Sequence, residues 1–147
     1  MKKKLISILL AGAMAASLSA CGNSEESSGG VPAGMSEGYY NAGIKAIAVM
    51  DDTIDLKIDY DVAAERLEMY ADAMEKELES DAGQEALKNA EVDAETEELI
   101  LKTNINSLKT AAGTIKVNDW KGEPDISKLI DDRNDFADDF GVSGRSY

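Results

Sequence analysis

The chain contains no histidine and a single cysteine. Histidine is the side chain used most often as a general base near neutral pH, and it is the commonest ligand of transition metals. Without it, the sequence has no zinc-ligand spacing and no cysteine–histidine pair, and it also lacks a glycine-rich phosphate loop and a serine elbow. We therefore expect a protein that is not an enzyme and that carries no bound cofactor.

Proline and aromatic residues are scarce as well. The prolines are Pro32 and Pro124, and aromatic side chains make up 5% of the chain. The long stretch between the two prolines is therefore free to form helices. Because one cysteine cannot form a disulfide within the monomer, the fold must be stabilised by packing, mainly of Ala, Leu, Ile and Met.

The N-terminus has the layout of a secretory leader. Lys2, Lys3 and Lys4 precede an apolar run over residues 5–20. The lysines favour the cytoplasmic side of a membrane. A membrane-spanning helix needs about 20 strongly apolar residues, whereas this run is shorter and is interrupted by Gly12 and several small residues. The pattern is typical of a removable leader rather than a permanent anchor.

The apolar run ends in Leu18, Ser19, Ala20 and Cys21. This order resembles the lipobox of bacterial lipoprotein precursors. The resemblance implies a diacylglycerol on the sulfur of Cys21, cleavage between Ala20 and Cys21, and attachment to the extracytoplasmic face of the cell membrane. Two acyl chains anchor a protein durably, whereas one is marginal. The alternative is an ordinary secretory leader cut after Ser17 or Ser19, with Cys21 incidental.

Loss of residues 1–20 leaves a strongly acidic chain. The leader holds three of the 15 basic residues and none of the 29 acidic ones, so 127 residues remain with a net charge of −17. This charge argues against binding to nucleic acid and against lying on an anionic membrane surface, because both would repel it. It is compatible with basic partners, with cations, or with simple solubility.

Residues 21–38 are expected to form a lipidated cysteine followed by a flexible tether. Residues 22–38 include five glycines, four serines and Pro32, with few large apolar side chains. Such a segment cannot bury enough apolar surface to offset the loss of chain entropy on ordering. The sequence therefore predicts a leader over 1–20, a tether over 21–38, a helical domain over 39–141 and a tail over 142–147.

The helical domain is predicted from apolar residues spaced by three or four, which form one face of a helix. These spacings predict an all-α fold, a small antiparallel bundle of three to four helices. The first stripe extends to about residue 57, although residues 54–62 also alternate like a strand. The stripes comprise Tyr40, Ile44, Ile47, Met50, Ile54 and Ile58; then Ala63, Leu67, Tyr70, Met74 and Leu78; then Leu101, Ile105, Leu108, Ala112 and Ile115; and finally Ile126, Leu129, Ile130, Arg133, Ala137 and Phe140, with Phe136 at the edge.

Residues at the ends of these stripes predict where the helices start and stop. Asp59 or Asp61 is expected to cap the second helix, and Asp93 the third long helix. A break near residues 80–83 and a helical turn over 85–90 are expected between them. A second break is expected over residues 118–122, with Pro124 in the first turn of the last helix and Gly141 at its C-terminal cap.

Clusters of aspartate raise the possibility of a cation site. Asp131, Asp135 and Asp138 share one face of the last helix, and oxygen ligands suit calcium. The pattern lacks the glycine and the closing glutamate of a calcium loop, so a solvated face is the favoured interpretation. A second set with four-residue spacing consists of Asp51, Asp55 and Asp59.

Trp120 lies in the predicted break between helices. Tryptophan is enriched at binding hot spots, so Trp120 is a candidate partner contact. The favoured interpretation is that its ring closes one end of a core that has few other aromatic residues.

Two functions remain open for the acidic helical domain. The first is a protein-interaction or accessory module, held at the membrane by the lipid, that works on a neighbouring protein of the cell envelope. The second is a binding protein for a small cationic solute or a metal ion. A contiguous exposed apolar patch would indicate the first function, and convergent carboxylates beside an apolar concavity would indicate the second.

Overall fold

The computed structural model describes residues 30–121 and 126–146, without the side chains of residues 118–121. Helices α1 Glu37–Ile54, α2 Tyr60–Glu79, α3 Asp81–Leu87, α4 Ala94–Lys121 and α5 Ile126–Asp138 follow one another. No strand occurs within these described ranges, so the all-α prediction is confirmed. The count differs from three to four because a short helix, α3, lies between α2 and α4.

Contacts between distant residues show how the long helices are arranged. The Ser36 hydroxyl donates to Glu77 Oε1 at 2.9 Å, which joins the start of α1 to the end of α2. Lys116 pairs with Glu68 at 2.6 Å, near the end of α4 and in the first half of α2. Together with the α1–α5 pair of Asp51 and Arg133, these contacts describe an antiparallel bundle in which α2 lies between α1 and α4, and α5 packs on α1.

The core is built from the predicted stripes. Every member of the predicted α4 stripe is buried, as are the corresponding residues of α2 except Tyr70, which is half-buried. In α1 the core face is broader than predicted, because Tyr39, Ala46 and Val49 are buried beside Met50. Alanine and leucine fill most of the interior, in keeping with the scarcity of aromatic residues.

α1 begins earlier and ends earlier than predicted. Ser36 caps it by accepting a hydrogen bond from the Tyr39 backbone N–H at 3.2 Å, and Met35 is already buried. The predicted tether therefore gives way to ordered structure before residue 38. At the other end, Leu56 adopts a left-handed φ of +56°, and its N–H donates to the Thr53 carbonyl. This cap ends the helix at Ile54, and the strand-like alternation of residues 54–62 forms no strand.

The connection between α2 and α4 also differs from the expected turn over residues 85–90. α3 starts at Asp81 because the Ser80 hydroxyl accepts from the Gly83 N–H at 3.1 Å. Gly83 is close to the end of α2, where a Cβ would lie 2.2 Å from the Glu77 carbonyl oxygen. The glycine thus permits the tight corner rather than ending a helix.

At the C-terminus, Gly141 has the predicted left-handed conformation, with φ +66°. The Val142 N–H donates to the Ala137 carbonyl at 3.0 Å and the Gly141 N–H to Asp138 at 3.0 Å, the two bonds of a Schellman cap. The described part of the predicted tail, 142–147, contacts the rest of the fold. Val142 packs against the core, and residues 143–145 are bonded to α5, as described below.

Candidate interaction surface

α4 is positioned by its N-terminal cap and by its apolar stripe. Asp93, the predicted cap, accepts from the Thr96 N–H at 2.9 Å through Oδ1 and from the Thr96 hydroxyl at 2.7 Å through Oδ2. These hydrogen bonds lower the pKa of Asp93. The stripe from Leu101 to Ile115 then holds one side of the helix in the core. The opposite side faces solvent over about 30 Å, at 1.5 Å per residue.

Three lysines of α4 recur every seven residues along the flank that faces α2. Lys102 pairs with Glu98 at 2.6 Å, and Lys109 pairs with Glu75 at 2.8 Å. Lys116, as noted above, pairs with Glu68. The basic side chains are therefore drawn to the α2 side, and none of these three extends over the solvent-facing side of α4.

Between Thr96 and Val117, the side of α4 opposite its core stripe carries no charged residue, although Glu95, Lys102, Lys109 and Lys116 are exposed elsewhere on the helix. We call it the α4 outer face, and it consists of Thr96, Leu99, Ile100, Thr103, Asn106, Ser107, Thr110, Gly113, Thr114 and Val117. Leu99 is 66% exposed, Val117 52% and Ile100 37%. A solvated helix face normally carries charge, and 30% of this chain is charged. The strip is therefore less charged than a typical solvated helix face.

The outward side of α2 shows the contrast. Its exposed residues are Asp61, Glu65, Arg66, Met69, Asp72, Ala73, Glu75, Lys76 and Glu79. Charged side chains dominate this set, as expected of a helix face in contact with water. On α4, by contrast, four of the described exposed residues are charged (Glu95, Lys102, Lys109 and Lys116) and most are not.

Hydroxyl groups on the α4 outer face are partly satisfied by the helix itself. The Thr103 hydroxyl donates to the Leu99 carbonyl at 2.8 Å, and the Thr114 hydroxyl donates to the Thr110 carbonyl at 3.0 Å. Neither of these hydroxyls therefore leaves a donor unpaired. Covering these two hydroxyls would cost little in lost hydrogen bonds to water.

A second polar constellation joins α1, α5 and the C-terminal segment. Arg133, in the predicted stripe of α5, is buried. Its guanidinium group donates to the Asp51 carboxylate from Nε at 2.9 Å and from Nη2 at 3.1 Å. Its Nη1 donates to the Ser143 carbonyl at 2.6 Å. Asn134 accepts from the Arg145 N–H at 2.6 Å and donates to the Arg145 carbonyl at 2.7 Å. Residues 143–145 are thereby fixed to α5.

Two of the three aspartates in the Asp51, Asp55 and Asp59 set are engaged by arginine. Besides Arg133, Asp51 Oδ1 accepts from Arg145 at 3.3 Å, and Asp55 binds both Arg145 and Lys57. The hydrogen bonds from Arg145 and Lys57 lower the pKa of Asp55. Asp59 stands at the N-cap of α2 without a side-chain cap bond. Asp51 and Asp55 therefore hold the C-terminal segment in place through Arg145.

The other acidic set lies on the surface of α5. Asp131, Asp135 and Asp138 are all exposed on α5, while Asp132 beside them pairs with Lys128 at 2.8 Å. Across the described part of the chain, no group of three or more metal-ligating side chains is arranged to hold a metal ion.

One end of the bundle combines aromatic rings with buried polar atoms. Phe140 stacks on Tyr39, Tyr40 and Phe136 at centroid distances of 6.1, 6.0 and 4.7 Å. The Tyr39 hydroxyl donates to the Leu101 carbonyl at 2.7 Å, and burial raises its pKa. These rings close the end of the core beside the start of α4, whereas Trp120 belongs to the opposite end of that helix.

Trp120 does not lie in a loop. α4 continues through the predicted break to Lys121, so Trp120 belongs to the last turns of that helix, and its side chain is among those not described. Pro124 and the lipobox from Leu18 to Cys21 lie outside the described residues. None of the helices in the described ranges is long and apolar enough to cross a membrane.

Sequence reasoning found the buried side of α4 and missed its outer face. The apolar spacing marks residues that pack, whereas the outer face is marked by an absence of charge. That absence stands out only once the exposed positions are known. Comparison of the chain with protein-family models, with curated proteins and with solved structures finds no match.

Proposed function

We propose that the chain is an extracytoplasmic lipoprotein, anchored to the cell membrane through Cys21, whose helical domain is a non-catalytic interaction module. The α4 outer face is its binding surface, and the partner is a protein of the cell envelope. The observation that carries this proposal is the uncharged α4 outer face on an otherwise acidic chain.

Three features support an interaction module over a receptor for a small solute. The α4 outer face is long and follows a single helix, a shape that suits another helix better than a small molecule. The carboxylates of Asp51 and Asp55 are bound by arginine. Interface centres are typically depleted of charge, as this face is.

The anchor is tested by replacing the lipidated residue. We expect Cys21→Ala to release the mature protein from the membrane fraction or to leave the precursor uncut, because no thiol remains to receive the lipid. Cell fractionation and the mass of the product provide the measurement. A Cys21→Ala protein that stays membrane-bound at the size of the parent would contradict the lipid anchor.

The binding surface is tested by site-specific photo-cross-linking in intact cells. A photoreactive amino acid at Thr103, on the α4 outer face, is compared with one at Ala73, an exposed and uncharged position of α2. We expect a discrete cross-linked product from position 103 and none from position 73. Equal products at both positions, or none at either, would contradict the assignment of the surface.

A further inference from the structure

We propose that Asp51, Asp55, Arg133 and Asn134 form a recognition site for an extended peptide segment that carries an arginine. We call these four residues the α1–α5 site, since they lie at the end of α1 and on α5. Residues 143–145 of the chain itself occupy the site and exclude other segments of the same chemistry. This inference goes beyond the proposed function, because the α4 outer face is on a different helix.

The α1–α5 site binds the main chain of the segment. The Asn134 amide accepts from the Arg145 N–H at 2.6 Å and donates to the Arg145 carbonyl at 2.7 Å. Both polar atoms of a residue point to the same side in an extended chain, where a neighbouring strand would pair with them. Arg133 Nη1 donates to the Ser143 carbonyl at 2.6 Å. Main-chain hydrogen bonds of this kind supply affinity for an extended peptide.

The side chain of Arg145 supplies the specificity. Its Nη1 donates to Asp51 Oδ1 at 3.3 Å, and its Nη2 donates to Asp55 Oδ1. Two carboxylates one helical turn apart thus bind one guanidinium group. The planar guanidinium directs its N–H groups along fixed directions, whereas the ammonium of lysine is a point charge. The site is therefore expected to prefer arginine to lysine.

Other partners hold the α1–α5 site in place independently of the segment. Asp51 is bound by Arg133 Nε and Nη2, and Asp55 pairs with Lys57 at 3.0 Å. Arg133 is 4% exposed, and apart from the Ser143 carbonyl its Nη1 has only a long contact, 3.4 Å, with Asn134 Oδ1. A buried donor is thus directed at a peptide carbonyl. A preorganised site of this kind loses little entropy when a peptide binds.

The resident segment is held by polar contacts and by its connection to the core. Ser143, Gly144 and Ser146 are exposed, and Arg145 is half-buried. Release of residues 143–146 therefore uncovers no apolar core, and water can replace part of the lost hydrogen bonding. Val142, three residues before Arg145, packs against the core. This short connection gives the segment a high effective concentration at the site, so a separate peptide competes poorly.

Peptide binding to the full-length protein in detergent tests the site. The probe is a fluorescent synthetic peptide with the sequence of residues 141–147, blocked at both ends, and the control peptide has alanine in place of its arginine. We expect Arg145→Ala to bind the arginine peptide about tenfold or more tightly than the parent does, because its own segment no longer fills the site. The control peptide is expected to bind neither protein. Fluorescence anisotropy measures both affinities.

Further substitutions in the Arg145→Ala protein locate the bound peptide. Asp55→Asn removes a carboxylate that binds the guanidinium, and Asn134→Ala removes both main-chain bonds. Each is expected to weaken binding of the arginine peptide by about tenfold. Asp52→Asn is the matched control, because Asp52 pairs with Lys57 and removal of its carboxylate changes the net charge equally. It is expected to leave the affinity unchanged.

The state of the fold is checked on each variant by circular dichroism. Arg145→Lys is a second, milder variant that keeps the charge, and we expect it to bind the arginine peptide with an affinity between those of the parent and Arg145→Ala. The peptide with lysine in place of arginine is expected to bind Arg145→Ala more weakly than the arginine peptide does.

Three results would overturn the recognition site. The first is failure of folded Arg145→Ala and Arg145→Lys to bind the arginine peptide. The second is equal binding by the parent and by Arg145→Ala, and the third is an equal loss with Asp55→Asn and Asp52→Asn. The last two would mean that the peptide binds elsewhere on the acidic surface. All three leave the α4 outer face intact, because photo-cross-linking at Thr103 tests that face separately.

Discussion

Arg133 shows how a single residue connects the parts of this fold. It occupies the apolar stripe of α5 with its side chain 5% exposed, yet it carries a full charge that must be paired. Asp51 supplies two carboxylate oxygens, and the Ser143 carbonyl accepts the remaining strong bond. One guanidinium therefore ties together α1, α5 and the C-terminal segment.

We expect Arg133→Ala to lower the free energy of unfolding by about 2–4 kcal/mol, because Asp51 loses a bidentate partner and the segment loses its bond at Ser143. Arg66→Ala, at an exposed arginine of α2, is the matched control and should change stability by less than about 0.5 kcal/mol. Urea denaturation followed by circular dichroism measures both. Equal effects for the two arginines would contradict the structural role of Arg133.

Glu97 is a residue at which removing a charge should stabilise the protein. Burial raises its pKa, and repulsion from Asp139 and Glu91 raises it further. A raised folded pKa means that the carboxylate form is disfavoured in the folded state. The cost is therefore absent below the ordinary pKa and fully present above the raised one.

Glu97→Gln is accordingly expected to raise the melting temperature at pH 7, with the difference from the parent disappearing as the pH falls below about 4. Glu95→Gln, at an exposed position of the same helical turn, should give no such gain. Thermal unfolding monitored by circular dichroism across this pH range provides the test. A destabilised Glu97→Gln at pH 7 would mean that the carboxylate is a needed acceptor.

For single residues, the sequence predicts the conformations and caps that depend on neighbours within one helical turn. The Asp93 cap and the left-handed Gly141 follow from residues within one turn. The Arg133–Asp51 pair joins positions 82 residues apart, and its members were placed separately, one in an apolar stripe and one in an acidic set. Only the packing of α1 on α5 brings them together.

Among the helices, the end of α5 depends on one glycine. Gly141 has φ +66° with no neighbouring atom within 4 Å of the position a Cβ would take. Strain in the backbone is therefore the main cost of a side chain there.

We expect Gly141→Ala to cost about 1–2 kcal/mol. Gly144→Ala is the control, because its Cβ would make only ordinary contacts with Asn134, at 3.7 Å and beyond. Chemical denaturation of the two variants measures the difference. A Gly141→Ala protein as stable as Gly144→Ala would contradict the cap.

The packing of α1 on α5 depends on a different glycine. A Cβ at Gly43 would lie 2.0 Å from the ring of Phe140, whereas a Cβ at Gly113 of α4 would meet nothing within 4 Å. Both glycines are inside helices, so both changes to alanine improve helix propensity equally.

Gly43→Ala is thus expected to destabilise the protein by about 1–3 kcal/mol through overpacking, and Gly113→Ala to stabilise it by about 0.5–1 kcal/mol. The opposite signs are checked by comparing the two melting temperatures with that of the parent. Stabilisation by Gly43→Ala would show that α1 and α5 are less closely packed.

The apolar periodicity and the capping residues predicted the helices more accurately than the connections between them. The apolar spacing located α1, α2, α4 and α5, because burial against neighbours requires a continuous stripe. The helical turn predicted over residues 85–90 is observed as α3, which starts earlier because its cap, Ser80, comes directly after α2. The polar contacts of residues 143–145 are not predictable from the sequence pattern, because they are made by Arg145 and backbone atoms rather than by an apolar run.

For the whole molecule, acidity is expected to act through general repulsion. With 29 acidic and 15 basic residues, added salt should screen this repulsion and raise the melting temperature. We expect millimolar calcium to shift the melting temperature no more than sodium at matched ionic strength. A larger calcium shift, lost in a variant with Asp131, Asp135 and Asp138 changed to Asn, would instead favour cation binding.

The central claim is that a lipid-anchored helical module binds its partner through the α4 outer face. The most direct measurement is chemical cross-linking of intact cells followed by purification of the tagged protein, for the parent, for T103E/T110E and for Ala73→Glu. We expect one dominant cross-linked product with an envelope protein, lost in T103E/T110E, which places two charges on the α4 outer face, and kept in Ala73→Glu. Retention of that product in T103E/T110E, or its absence from all three chains, would contradict the claim.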